Sequence, residues 1–288
     1  MTDAALTRVA ADDRPAILAA LRSDGAVIAE GLLDDRVLAA VRDEVEPVLA
    51  RSQAGNTKIN DAVDAFFGDA VTHVSSLTAH SPTFAEEVML DPTLLAVCDE
   101  FLLPHCSRYV LNLAHLMERG PGAEPQPAHR DEWVWKHLPP IEGEVQVASI
   151  VALVDFHREN GATGVVPGSH AWEDPSRYPT PDEVVYAEMA AGDAVIYLGS
   201  TFHFGGGNTT ADELRRGIHL SYTLGWLRTE ENNYLGTPPS VARDLSREAQ
   251  AMLGYATHDA IDVGGGYLGM VDMRDPLDLL ADDALAGR

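Results

Sequence analysis

The sequence predicts a mainly β protein with flanking helices, a helical front packed on a double-sheet core, and three observations carry that prediction. Apolar residues recur three or four apart over the first hundred residues. From about residue 107 the chain breaks into short β-type runs, and those runs are separated by Gly, Pro and Asn turns without helices between them. Many short strands in succession make an antiparallel sandwich or barrel rather than a parallel α/β sheet. With 288 residues, 45% hydrophobic and 23% charged, the chain can bury one sizeable core. We read 1–288 as a single domain, with the helical front over 1–105, the β core over 107–230, and a C-terminal helix and tail over 238–288.

Element by element, helices are expected over 12–22 and 34–51, each with Asp at or near its start as a cap. Between them Ala26-Val27-Ile28-Ala29 is a short apolar run suited to a strand. A third helical stretch, 81–103, breaks at Asp91-Pro92, where Pro92 opens a new helix because its missing N–H lies in the first turn. Residues 52–76 have weak periodicity and several Gly and Asn, and are expected to be an irregular surface loop. Strands are expected over 109–117, 145–156, 163–166, 183–188, 193–198 and 217–226. Helix returns over 240–253, before a Gly-rich tail at 263–269.

The formal net charge of −25 repels phosphate backbones and anionic surfaces, so neither nucleic acid nor a membrane is expected as a partner. No run of about 18 apolar residues occurs, and acidic residues near the N-terminus replace the basic patch of a signal peptide. A cytoplasmic protein is expected. Cys98 and Cys106 are too few for a disulfide framework and too far apart for a C-x-x-C pair; both read as incidental thiols.

The chemistry concentrates at Gln126-Pro-Ala-His129-Arg130-Asp131. On an extended strand His129 and Asp131 share one face, which can hold one metal ion. A facial set of two His and one carboxylate needs another His from a distant strand and leaves positions open, the arrangement of non-haem Fe(II) oxygenases. His203, opening the turn-rich His203-Phe-Gly-Gly-Gly-Asn208, is the best candidate. His-x-Asp alone is weak evidence, and its weight comes from what accompanies it. If 2-oxoglutarate chelates the iron, its far carboxylate requires a fixed cation, and arginine offers two parallel donors. Arg215 and Arg216 lie 12 and 13 residues beyond His203; only one can face inward.

Gln126-x-x-His129-x-Asp131, the block from Asn160-Gly161 to Pro167-Gly-Ser-His170, Gly192-Asp193, and His203 through Asn208 to Arg215 resemble the phytanoyl-CoA dioxygenase family over roughly residues 15–230. Gln-Pro-x-His-Arg-Asp-Glu is similar to the subgroup that tailors fungal and bacterial natural products. The resemblance implies a double-stranded β-helix (jelly-roll) core with iron at its open end and His129, Asp131 and His203 as ligands. It implies Arg215 as the clamp on the 2-oxoglutarate C5 carboxylate, with Arg216 the alternative, and Gln126 and Thr163 as further contacts of that cosubstrate. The implied reaction uses O2 and 2-oxoglutarate, releases succinate and CO2, and oxidises a C–H bond of a compact apolar metabolite such as a terpenoid or alkaloid. Halogenases of the family replace the carboxylate ligand with a small residue, so Asp131 argues against halogenation.

Trp133 and Trp135 follow Asp131 on the same face if the strand continues, and are expected to line a substrate pocket or to pack in the core. Asn112 is a further pocket candidate. His115, His137, His157 and His219 read as packed or surface histidines, with His219 the one that could face the barrel interior, and His170 as a turn-fixing residue. The Gly205–Gly207 run lacks the Lys and Ser or Thr of a phosphate loop. Residues 52–76 and the tail around 264–269 are lid candidates, in a homodimer if the subgroup's pattern holds. The rival readings are a jelly-roll metal enzyme that needs no arginine clamp, and a binding protein that has lost the chemistry.

Overall fold

The computed structural model describes residues 5–139, 141–258, 267–282 and 284–285. Its helical front holds β1 (Arg8–Ala10), α1 (Arg14–Asp24), β2 (Ala26–Glu30), α2 (Asp35–Leu49), α3 (Asp61–Phe67), β3 (Val71–Val74), α4 (Leu77–His80) and α5 (Pro92–Phe101). The core continues with β4 (Tyr109–Arg119), β5 (Gln146–Ala152), β6 (Thr163–Val165), β7 (Val185–Ala187), β8 (Ala194–Leu198), β9 (His203–Phe204) and β10 (Arg215–Leu224). After it come α6 (Asn233–Gly236), α7 (Pro239–Ala242), α8 (Arg247–Gln250) and α9 (Pro276–Ala281).

The expected caps are present: the Asp13, Asp34 and Asp91 side chains accept the first backbone N–H groups of α1, α2 and α5. Pro92 stands in the first turn of α5, and the stretch before it is a π-helical turn, Phe84–Val88. The helix expected over 240–253 is instead three pieces: α7, α8 and a π-helical turn, Ala251–Tyr255, in which Gly254 has φ +89°. Residues 52–76 are more ordered than expected, since they contain α3 and β3. Of the Gly-rich tail, 263–266 lie outside the described residues.

Two sheets form, a seven-stranded one in the order β1-β2-β8-β5-β10-β4-β3 and a three-stranded one in the order β7-β6-β9. All pairings are antiparallel except β1 with β2, which makes the large sheet mixed. Strand alternation divides its side chains. Val147 and Val151 of β5, Ile196 of β8 and Ile218, Leu220 and Tyr222 of β10 join the cluster packed under α1, α2 and α5. Ile28, Ala148, Ile150, Val195 and Tyr197 face the small sheet with Val165 and Ala187. On β10 the alternate set is Arg215, Gly217, His219, Ser221 and Thr223. One strand therefore supplies the helix-side core with every second residue and lines the interior with the others. No helix among the described residues is long and apolar enough to cross a membrane.

Candidate metal and 2-oxoglutarate site

Between the sheets lies a cavity of about 750 Å3, and His129, Asp131 and His203 share its wall. The strand predicted to carry His129 and Asp131 together is not formed. His129 makes an isolated antiparallel bridge to His203, while Asp131 begins a 3-10 turn, Asp131–Trp135. The His129 and His203 amides each donate to the other's carbonyl at 3.0 Å, which brings in the distant histidine. His129 Nε2 is 3.5 Å and His203 Nε2 3.3 Å from Asp131 Oδ1. One ligand atom from each residue lies within 4.8 Å of the others. Both Nδ1–H groups donate to backbone carbonyls, His129 to Pro127 at 2.9 Å and His203 to Thr201 at 3.1 Å. Those bonds fix the tautomer and leave both Nε2 lone pairs turned toward the carboxylate, as metal-binding imidazoles require.

Asp131 is held in turn by Gln146 Nε2 and Tyr197 OH, each 3.4 Å from Oδ2, with His219 Nε2 at 3.5 Å from the same oxygen. Burial would raise its carboxyl, but the imidazoles around it, His203 first and then His129 and His219, favour the charged form and hold it well below the usual carboxylate range. The group is thus an anion in the fold, the form that coordinates a cation.

The other end of the cavity is cationic. Arg215 Nη2 donates to Thr163 Oγ1 at 2.8 Å, while its Nε and Nη1 are buried without a partner among the described residues, and the guanidinium stacks 4.0 Å from the Phe156 ring centroid. Arg119, its partner across the β4–β10 ladder, has Nη1 in the same state. Both side chains are 1% exposed. Burial pulls Arg215 down to about 9, with the Arg119 charge adding to it, and burial alone pulls Arg119 down to about 10. Two buried cations with unsatisfied donors form a receptor for a carboxylate. Gln126 lies alongside and accepts the Gly205 amide at 2.7 Å. Arg216, offset by one residue, points out of the cavity to Glu118 and Glu46.

Three expected contacts fall elsewhere. Trp133 is 45% exposed and packs edge-on against Phe202, and Trp135 donates its indole N–H to the Arg228 carbonyl. The cause is the 3-10 turn: its three-residue period puts Val134, not the tryptophans, on the cavity side with Asp131. Asn112 is fully buried behind the wall rather than on it. Conversely, His219 and His115, read from the sequence as packed or surface residues, line the cavity with His73. Their place on alternate strand positions was the signal available. Arg119 left no such signal, since only the register with Arg215 reveals it. The His170 Nε2–H donates to the Arg22 carbonyl at the end of α1 at 3.3 Å, a long-range contact rather than one within its own turn, and His157 is a surface residue paired with Glu159 and Glu213.

A family model described as phytanoyl-CoA dioxygenase (PhyH) matches residues 21–217. Dioxygenase olcK of Penicillium canescens is 34% identical over 240 residues, covering 82% of this chain and 79% of the relative. Dioxygenase aneA of Aspergillus aculeatus is 34% identical over 254 residues, covering 86% and 85%. The epimerase SnoN, solved in complex with Fe3+, α-ketoglutarate and nogalamycin RO, is similar in fold, with a TM-score of 0.57 and 22% identity over 74% of this chain and 84% of that one. The fold is the jelly roll of non-haem iron, 2-oxoglutarate-dependent dioxygenases, and the protein is an enzyme of that class. The chain belongs to the phytanoyl-CoA dioxygenase (PhyH) family.

Proposed function

We propose that the enzyme hydroxylates an unactivated C–H bond of a small, largely apolar specialised metabolite of the terpenoid or alkaloid kind, with His129, Asp131 and His203 holding the iron. The observation that carries this reading is one cavity with three ligand atoms converging on one wall and, at its end, two buried arginines that have no counterion among the described residues. Arg215 is the clamp for the C5 carboxylate of 2-oxoglutarate, Thr163 orients that guanidinium, and Arg119 adds a second positive charge. Iron and 2-oxoglutarate, when bound, supply the oxidation of a C–H bond by O2, coupled to decarboxylation to succinate and CO2. The chain's own residues fix the geometry. The Pro127 and Thr201 carbonyls aim the two imidazoles, and Gln146 and Tyr197 hold the free oxygen of Asp131 so that the other faces the histidines. Phe66, Phe67, Val63 and Ile59 cover the cavity with apolar surface and keep water from the substrate side. Nogalamycin RO in the SnoN complex supports a natural-product substrate.

Anaerobic titration of the protein with Fe(II) and 2-oxoglutarate tests the reading. A weak visible charge-transfer band is expected in the native protein, and its loss is expected in each of His129→Ala, Asp131→Ala and His203→Ala. A full band in any one of the three would remove that residue from the ligand set.

A further inference from the structure

The cavity is bipolar. Its arginine end is assigned above to an anionic cosubstrate; its opposite wall carries Glu230 and Glu231, from the loop after β10. The two glutamates differ in what they have left to offer. Glu231 is occupied: Oε1 accepts from the Ser76 amide at 2.6 Å and the Ser76 hydroxyl at 3.2 Å, and Oε2 accepts from the Ala114 amide at 3.2 Å. Glu230 accepts only from Asn112 Nδ2, at 2.7 Å on Oε2. Among the described residues Oε1 has no partner, and the side chain is accessible from the cavity.

Asn112 is built to hold that glutamate. The β4–β10 register steps from Leu113 opposite Ser221 to Leu111 opposite Tyr222, so Asn112 is the extra residue of a β-bulge. Bulges re-aim a side chain out of the regular ladder. Here the side chain, 0% exposed, spends its hydrogen bonds on one neighbourhood: Nδ2 on Glu230 Oε2 and on Ser221 Oγ at 3.1 Å, and Oδ1 on the Glu230 amide at 2.9 Å. The Asn112 carbonyl also accepts the Glu231 amide at 3.1 Å. A buried amide committed to one carboxylate preorganises it, which is how a binding group is made specific rather than merely present. On the same wall His219 is 7% exposed with Nε2 at 3.5 Å from Asp131 Oδ2, and Lys58, which also lines the cavity, donates to the Gly55 carbonyl at 3.0 Å.

We infer that Glu230, held by Asn112, is the specificity-determining anchor for a basic nitrogen on the substrate. The substrate class is then a compact apolar amine: its hydrocarbon body lies against Leu113, Ile150 and Val134, and its ammonium N–H bonds Glu230 Oε1. A cation suits this position better than a hydroxyl because a charge-assisted bond is roughly twice as strong as a neutral one. The chain's net charge of −25 also draws cations toward the cavity and repels anions. This assignment rests on the reading of the cavity as the active site, and narrows its substrate from a terpenoid or alkaloid to the nitrogenous kind.

Calorimetric titration at neutral pH with phenylpiperidine, a cation, and phenylcyclohexanol, its neutral hydroxyl-bearing analogue, tests it in the metal-free protein and in the protein loaded with Ni(II) and 2-oxoglutarate. The native chain is expected to bind the amine about tenfold tighter or more in both forms, a factor that corresponds to one charge-assisted hydrogen bond. Glu230→Gln, which keeps an acceptor for Asn112, is expected to reduce the preference to within about threefold while its thermal unfolding and its Ni(II) and 2-oxoglutarate affinities stay native. Glu230→Asp is expected to fall between the two, and reads the same interaction if the glutamine variant does not fold. Equal affinities in the native chain, no amine binding, or an undiminished preference in the variants would each overturn the assignment. Failure of the native protein to take up Ni(II) and 2-oxoglutarate, with the amine preference intact in the metal-free protein, would instead overturn the iron and cosubstrate reading and leave Glu230 as an amine site.

Discussion

At the scale of single residues, the contrast between Arg215 and Arg216 is the sharpest consequence of strand alternation. One position apart on β10, the first ends in the cavity beside Thr163 and the second ends on Glu118 and Glu46. Arg215→Lys is expected to raise the KM for 2-oxoglutarate about tenfold or more, because a point charge cannot reproduce two parallel donors and the lost bonds are worth about 1.5–3 kcal/mol. Arg216→Lys is expected to leave KM within about twofold, since Arg216 ends on Glu118 and Glu46 and does not line the cavity. Equal effects in steady-state assays would take 2-oxoglutarate away from this strand. Glu144 makes a second prediction. It accepts from the Ser200 hydroxyl at 2.5 Å and the Ser200 amide at 3.3 Å, yet burial, reinforced by the Glu132 charge, pushes its carboxyl up to about 7. A carboxyl whose folded value exceeds its unfolded one binds more proton in the folded state between about 4.5 and 7. Stability therefore falls as pH rises across that window and levels off above it. Glu144→Gln should remove this cost, so the variant's stability relative to the native protein should grow by roughly 2–3 kcal/mol between the two ends of the window. Denaturant unfolding at pH 5 and pH 8 reads it, and a difference that does not change with pH would exclude Glu144 as its source.

At the scale of elements, α3 decides how the cavity is closed. Its seven residues bury none of their side chains fully, but Phe66 stacks edge-on at 4.9 Å from His129 and Phe67 at 4.3 Å from His73. An oxidising site needs such a cover to exclude water. Deleting part of 53–66 is expected to uncouple the reaction, so that 2-oxoglutarate is consumed faster than substrate is oxidised; a succinate-to-product ratio equal to the native one would show that this segment is no lid. The same element shows where sequence reasoning stops. A helix of seven residues with no buried face leaves no apolar stripe, so residues 52–76 looked like loop although α3 and β3 lie within them. Long or strongly patterned elements were readable: the caps of α1, α2 and α5, and every strand expected between 109 and 226 within a few residues. The cluster of His129, Asp131 and His203 was readable as a chemical pattern, but its local geometry was not. A period of two was assumed where a bridge and a 3-10 turn occur, and the error moved the tryptophans off the cavity and hid Val134. Arg119 and Glu230 required the register of β4 on β10 and the path of the loop beyond, which are long-range facts that no local window contains.

At the scale of the whole molecule, 45 acidic residues face 20 basic ones, and most of that excess lies on a surface where water and salt screen it. Uncompensated charge of one sign opposes the compact state through self-repulsion while it favours solubility. The local ion pairs do not offset it, because pairs such as Arg36 with Glu87 and Arg247 with Asp278 are exposed and each is worth little. The core must therefore carry the fold against a field that salt can weaken. Raising NaCl from roughly 20 mM to roughly 500 mM shortens the screening length from about 20 Å to about 4 Å and should raise the unfolding temperature by several degrees. Sodium chloride is the informative salt, because sulfate also strengthens apolar burial by exclusion from the surface and would blur the cause. The same rise in salt should weaken the association of a cationic ligand with the cavity through loss of long-range attraction, so stability and amine affinity are expected to move in opposite directions. An unfolding temperature that stays constant or falls as NaCl rises would mean that the acidic surface is neutralised within the fold, and that the net charge exerts no force on either folding or binding.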